Sequence, residues 1–288
     1  MIPIRATDRE HLRDLVFEHI RDYGFECSLN HIDVSRINDF DRLFQNLDFN
    51  GDISEWDVSQ ATSMDAMFEH SKFDGDISSW NVSNVKNMGY MFAGSRFNQD
   101  LSSWNVARVS DMTSMFQESD FNGDLSKWNV SGVIAMGNMF KSCAFQGDLS
   151  SWDVSNVNYM QCMFRASVVN TDFSRWNVSK VLSINWMFYE SVVSDKALQS
   201  TANWVLNPKA KMEHVFSEWE DSPLGCLGLV QGFYEFPKED SRYAEVASLV
   251  ALVKGLEVSP LDAAHLIYKK MHQRGMDIPP LDDVPYLG

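Results

Sequence analysis

Six aspartates recur at one spacing and are the residues best suited to bind a cation. They stand 24 residues apart, at Asp52, Asp76, Asp100, Asp124, Asp148 and Asp172. Calcium takes about six to eight oxygen ligands, so one aspartate per repeat supplies too few. Two bare carboxylates about 4.8 Å apart would also repel each other by roughly 1 kcal/mol in water. We therefore expect the aspartates to fix turns by accepting N–H bonds, with a cation site as the alternative.

Six tryptophans follow the same spacing and could bind a ligand by stacking. They are Trp56, Trp80, Trp104, Trp128, Trp152 and Trp176. An exposed aromatic face could stack on a sugar or a peptide. Trp56 and Val58 are two residues apart, however, so on a strand both side chains would point to the same apolar face. We therefore predict a buried tryptophan ladder, with an exposed platform as the alternative.

Motifs for nucleophilic, nucleotide or metal chemistry are missing from the sequence. It contains no G-x-S-x-G elbow, no P-loop and no G-x-G-x-x-G fingerprint. The seven histidines are dispersed, and the four cysteines are scattered without a C-x-x-C pair. We expect reduced thiols, no metal, no cofactor and no catalytic residue, and therefore a protein that is not an enzyme.

The 24-residue period extends to further columns and predicts stacked repeats. A Met-Phe pair recurs from Met67-Phe68 to Met187-Phe188, and a valine column runs from Val58 to Val178. Alternation of Trp and Val predicts a short strand, whereas apolar residues three or four apart before each Met-Phe pair predict a short helical or 3₁₀ segment. One such coil cannot bury its apolar side chains alone, so successive coils must stack. The expected fold class is an α/β repeat solenoid that is leucine-rich-repeat-like.

The array is expected to have helical segments at both ends. A capping box at Thr7-Asp8-Arg9-Glu10 and the apolar stripe after it predict an N-terminal capping helix within residues 1–31. About eight repeats follow over 32–216, the last keeping Trp204 after a four-residue insertion. Residues 217–288 are predicted to form a small C-terminal α-helical domain with an extended acidic tail.

The repeat resembles one that is found in a bacterial protein family. One unit reads Phe97-Asn98-Gln99-Asp100-Leu101-Ser102-Ser103-Trp104-Asn105-Val106, followed by Val109, Met112, Met115 and Phe116. It resembles the BspA-like leucine-rich repeat, also described as the PARCEL repeat, over about two-thirds of the chain. The resemblance implies a solenoid used in adhesion or protein recognition, commonly in bacterial surface proteins that carry an export signal or a lipid anchor.

The chain is acidic, with a net charge of −16. This charge repels phosphate backbones and anionic lipid head groups, so we expect no direct nucleic-acid binding. The sequence contains no stretch of about 18 apolar residues, so we expect no membrane insertion. Because the first ten residues are charged, we expect no Sec-type export signal and a location in the cytoplasm or secretion by a non-Sec route. We expect a monomer unless the chain is assembled with its partner.

Recognition is expected at outward positions that change from repeat to repeat. The candidates are Glu55, Gln60, Arg108, Lys127, Arg175 and Lys180. We expect a non-catalytic scaffold that binds a partner protein through the outward faces of the solenoid. One alternative is an intracellular immunity or inhibitor protein that neutralises a basic toxin or a nucleic-acid enzyme. Another is an effector or adhesin exported by a non-Sec route.

Overall fold

Regular secondary structure is sparse in this computed structural model, which describes residues 4–201, 204 and 207. Its elements are β1 (Ile4–Arg5), α1 (Arg9–Tyr23), β2 (Ile32–Asp33), β3 (Val168–Val169), β4 (Val192–Val193) and α2 (Asp195–Ser200). Strand β1 pairs in parallel with β2, and β3 pairs in parallel with β4. The rest of the described chain consists mainly of turns and extended connections. The predicted C-terminal domain at 217–288 and residues 208–216 of the predicted eighth repeat lie outside the described residues.

Helix α1 covers the beginning of the repeat array. Its N-cap is Asp8, one residue later than Thr7, the N-cap of the predicted capping box. The Asp8 carboxylate accepts the N–H of His11. The helix ends at Gly24, whose positive φ of 87° suits glycine. Leu12, Val16 and Ile20 form its buried face. The helix therefore lies against the first repeat with the apolar stripe that the sequence indicates.

Successive repeats are paired in parallel and in register. We number them as units 1 to 7, which start at residues 32, 56, 80, 104, 128, 152 and 176. One residue per unit forms a parallel bridge to its equivalent in the next unit: Asp39, Ser63, Asn87, Asp111, Ala135, Tyr159 and Ser183. Every bridge joins residues that are 24 apart, so units that follow each other in sequence also lie side by side.

Eight residues of each unit form what we call the turn ladder, which spans 63–70 in unit 2. The N–H of Met64 donates to the carbonyl of Asn87 over 3.0 Å. Two and four residues later the same bond recurs, from Ala66 to Gly89 and from Phe68 to Met91. The intervening N–H groups close turns inside the unit, as from Met67 to the carbonyl of Met64. The ladder thus satisfies the backbone within and between units without helix or extended strand.

The turn ladder requires positive φ at two positions of every unit. Only Gly94 among the fourteen residues at these positions is a glycine. The others are Arg42, Asn46, Ala66, His70, Tyr90, Ser114, Glu118, Asn138, Ser142, Cys162, Ala166, Trp186 and Glu190, with φ between 52° and 59°. Each costs about 1 kcal/mol for an ordinary side chain. The bonds to neighbouring units hold the backbone in this conformation.

The predicted helical segment is not found in the described units, and the predicted strand is not found at its position in units 2 to 7, whereas in unit 1 β2 (Ile32–Asp33) lies at the predicted strand position. Residues 61–68, expected to be helical, overlap the turn ladder at 63–68 and carry the parallel bridge at Ser63. The stretch from Trp56 to Val58, expected to be a strand, lies between two turns and has no strand assignment. Overlapping turns place apolar side chains three and four residues apart, as a helix does, and this produced the wrong assignment.

Columns of stacked aromatic rings fill the interior. The phenylalanine of each Met-Phe pair, together with Phe44, lies over its equivalent at centroid distances of 5.5 to 5.8 Å and interplanar angles of 1° to 9°. A second column, Phe49 to Phe145, has spacings of 6.2 to 6.4 Å. These separations are those of favourable offset stacking. The methionines of the ladder are fully buried beside them.

We expect Phe116→Ala to lower the free energy of unfolding by about 3 to 5 kcal/mol, because the substitution leaves a cavity between two stacked rings. Urea denaturation followed by tryptophan fluorescence measures this loss. Ile134→Ala is the control, since Ile134 is 46% exposed and its truncation should cost less than about 1 kcal/mol. Equal losses in the two variants would contradict a core built on this column.

Candidate functional site

The aspartate column closes one turn in every unit. Each carboxylate accepts the backbone N–H of the serine two residues later, at 2.8 to 3.0 Å, from Asp52 with Ser54 to Asp172 with Ser174. The pKa values of Asp52, Asp76, Asp100 and Asp124 lie below the usual value. The backbone N–H bonds are the largest cause, and the bonds from the serine hydroxyls are the second. The column is therefore compensated within each unit.

A second polar column fixes another turn in the same way. It consists of Asp57, Asn81, Asn105, Asn129, Asp153 and Asn177, and each side-chain oxygen accepts the N–H two residues later. Asparagine and aspartate are interchangeable here, so the turn needs an acceptor and not a negative charge. In the part of the chain that the structure describes, no group of three or more His, Cys, Asp or Glu side chains could hold a metal.

The structure places all six tryptophans in the interior, 2 to 4% exposed. Each indole Nε1 donates to the carbonyl of the residue 27 positions earlier, at 2.9 to 3.3 Å. Trp204 makes the equivalent bond to Phe173, which is 31 positions earlier, and its ring stacks on Trp176 at 6.3 Å. The four extra residues are the insertion expected from the sequence. The indole rings thus join neighbouring units and leave no open face for a sugar or a peptide.

All six candidate recognition residues are exposed and lie in two rows along the stack. Glu55, Lys127 and Arg175 precede the tryptophan of the next unit, and Gln60, Arg108 and Lys180 form the other row. The second row is partly interlocked by side chains. Arg108 Nη1 donates to Asn84 Oδ1, and Lys180 Nζ donates to Asn156 Oδ1, both over 2.7 Å. The structure therefore brings the residues together by row and gives two of them defined positions.

Sequence reasoning missed a set of exposed apolar side chains beside the turn ladder. Ile134 is 46% exposed, Tyr159 44% and Trp186 36%. The equivalent positions of unit 1 hold Asn38, Asp39 and Arg42. The available signal was clearest for Ile134 and Tyr159, whose columns are polar in most other repeats, and weaker for Trp186, whose column also holds Ala66 and Tyr90. It was not used because these columns were assigned to a helix whose outward side was undefined.

We expect Asp76→Asn to keep the turn and to weaken the loss of stability in acid. A lowered pKa in the folded state stabilises the protein above the unfolded value of about 3.9, and this contribution disappears as the pH falls further. Urea midpoints at pH 7 and pH 3 should therefore differ less for a variant in which Asp52, Asp76 and Asp124 are all asparagine than for the wild type. Asp76→Ala is the matched control and should cost about 1 kcal/mol at pH 7, because the acceptor is lost.

The same triple variant would speak against this role if its stability at pH 7 fell as far as that of the corresponding alanine variant. That result would mean that the carboxylate charge itself is needed, as in a cation site.

No helix among the described residues is both long and apolar enough to cross a bilayer.

Comparison with known proteins identifies the family of the chain. No curated protein and no solved structure matches the chain. A family model described as "Mycoplasma protein of unknown function, DUF285" matches residues 14–122 and 117–222, which is more than half of the 288 residues. The chain belongs to the DUF285 family, and the matched region includes units 1 to 7 of the array.

Proposed function

We propose that the stacked units form a leucine-rich-repeat-like solenoid that binds a partner protein and carries out no catalysis. One observation carries the proposal. The recurring polar side chains accept hydrogen bonds from their own units, whereas outward positions such as Glu55 and Lys127 vary from unit to unit. A scaffold that keeps its inward residues constant and varies its outward ones is typical of repeat proteins that recognise other proteins.

The size of the stack supports this proposal. Seven units at about 4.8 Å per unit give faces roughly 30 Å long. A face of this length can supply the area of about 800 Å² per partner that a stable protein complex buries. The resemblance to the BspA-like repeat, which implies adhesion or protein recognition, points in the same direction, and membership of DUF285 assigns no function that conflicts with it.

The net charge of −16 favours a second, narrower candidate. An acidic solenoid could neutralise a basic toxin or a nucleic-acid enzyme as an inhibitor, because opposite charges speed association and exclude acidic competitors. Binding of that kind weakens steeply as salt rises. A partner held mainly by apolar contacts would instead tolerate salt, so one titration separates the two candidates.

We expect charge reversal in one of the two rows to weaken capture of the partner at least tenfold. Arg108→Glu with Lys180→Glu tests one row, and Lys127→Glu with Arg175→Glu tests the other. Tagged full-length chains are used to capture proteins from lysate of the native organism, with quantification by mass spectrometry at two salt concentrations. Arg13→Glu with Arg21→Glu on α1 changes the net charge equally and is the control.

A partner that is captured equally by all three variants would show that neither row contributes. Loss of capture in the α1 control as well would mean that total charge, and not a row, determines binding.

A further inference from the structure

The outward side of the turn ladder changes character along the stack. We define the front face as residues 38–42, 62–66, 86–90, 110–114, 134–138, 158–162 and 182–186, five in each unit. In units 1 to 4 it carries six charged residues: Asp39, Asp41, Arg42, Asp65, Lys86 and Asp111. In units 5 to 7 it carries none. Since 22% of the chain is charged, about three charges would be expected by chance in fifteen positions.

Large exposed apolar side chains occur in every unit of the uncharged half, whereas the charged half carries one, Tyr90 of unit 3, which is 41% exposed. In the uncharged half Ile134 is 46% exposed, Tyr159 44% and Trp186 36%, and Leu182 is half-buried. The segments that carry them are directly hydrogen-bonded, because the N–H of Asn158 donates to the carbonyl of Ile134 over 2.8 Å. Tyr159 in turn bridges to the unit that carries Leu182 and Trp186. We call Ile134, Tyr159, Leu182 and Trp186 the apolar patch.

Paired charges lie further along the turn ladder in units 4 to 7, beyond the residues of the apolar patch. Lys141 lies 3.9 Å from Glu118, and Arg165 lies 3.2 Å from Glu190. The Arg165 guanidinium also lies over the ring of Tyr189, 5.2 Å from its centre. An uncharged, partly aromatic centre inside a polar rim is the composition of protein interfaces. Solvent alone gives no reason for three consecutive units to expose large apolar side chains on one face.

Carboxylates dominate the other half of the front face. Asp41 Oδ1 accepts the Ser63 hydroxyl at 2.5 Å and the N–H of Asp65 at 2.9 Å. Burial, and then the negative charge of Asp41, raise the pKa of Asp65, and Arg42 at 3.9 Å offsets this only in part. Glycine at position 89 leaves space for the Asp65 carboxylate, since a side-chain carbon there would lie 2.9 Å from it. This half therefore presents negative charge that its own cations do not cancel.

We propose that the front face binds an extended segment of a partner protein, with aliphatic or aromatic side chains on the apolar patch and lysine or arginine at Asp41 and Asp65. The proposal rests on the protein-binding function above and names the face and the chemistry of the partner. Asp65 in unit 2 and Tyr159 in unit 6 are four units apart, or about 19 Å. An extended segment covers that distance with about six residues.

The probes are synthetic, fluorescently labelled peptides of about 12 residues, which exceeds the required reach. One end carries Leu-Phe-Val and the other Lys-Arg-Lys, and both orders are tested. Control peptides replace either the basic block by glutamate or the apolar block by serine. Anisotropy with the full-length chain should show binding of the matched peptide that weakens with salt, and at least tenfold weaker binding of both controls.

Variants of the chain then locate the binding. Ile134→Ser with Tyr159→Ser should weaken the matched peptide at least tenfold. Asp41→Asn with Asp65→Asn should weaken it and flatten the salt dependence. Arg13→Glu with Arg21→Glu on α1, outside the front face and outside both rows, should leave affinity within about threefold. Ile134→Lys alone, together with circular dichroism and melting temperature, separates loss of binding from loss of folding.

Failure of the matched peptide to bind at millimolar concentration, or binding that the front-face variants do not change, would overturn the proposal. The proposal would also be overturned if a second copy occupied the apolar patch, which would appear in sedimentation as a dimer that Tyr159→Ser dissociates. The same holds if the chain itself covers the patch, which would appear as a Tyr159 ring protected from oxidative labelling in the free monomer. If row variants abolish capture of a partner and front-face variants do not, the front face is wrong and the protein-binding function stands.

Discussion

The register of 24 residues is the constraint on which the rest of the structure depends, because it sets every side chain against the equivalent side chain of the next unit. Flat aromatic rings are stabilised by stacking in this arrangement, and the phenylalanine column runs through the stack without interruption. Carboxylates would be destabilised, since like charges would lie one above the other. Asp76 avoids the penalty by binding the N–H of Ser78 in its own unit, and the equivalent turn at Asn81 needs no charge at all.

The bonds that the turn ladder makes to the next unit from its second residue onward share one direction, whereas those just before it, as from Asn158 to Ile134, run the other way. In the turn ladder the N–H belongs to the earlier unit and the carbonyl to the later one, as from Met64 to Asn87 and from Met112 to Ala135. Peptide dipoles that point the same way add, as they do along a helix. The first unit accordingly presents carbonyl oxygens at its outer edge. There the Arg9 guanidinium donates to the carbonyl of Asp41 over 2.6 Å, so the edge meets a cation from α1.

The interior of the repeats could be predicted from the sequence, whereas the path of the backbone could not. Trp104, Met112 and Phe116 repeat without a slip, and only contact between copies requires that. Periods of two or of three to four residues, however, do not distinguish strands and helices from overlapping turns. Positive φ is normally indicated by glycine, but here Tyr90 and Cys162 adopt it, and the N–H of each donates to the next unit. The front face was missed for the same reason, because the path of the backbone determines which side chains point outward.

Exposed side chains change from unit to unit for two physical reasons, ion pairing between adjacent units and recognition of a partner. The front face helps to distinguish the two. Five of the eight ion pairs among the described residues join adjacent units, for example Lys72 with Asp48 and Lys196 with Asp172. Stacking therefore favours a change of charge from one unit to the next at exposed positions, whatever the protein binds. It does not favour removal of charge from the same face of three consecutive units, because each lost pair gives up a stabilising contact. An uncharged stretch that exposes Ile134 and Tyr159 is consequently better evidence of recognition than an alternation of signs.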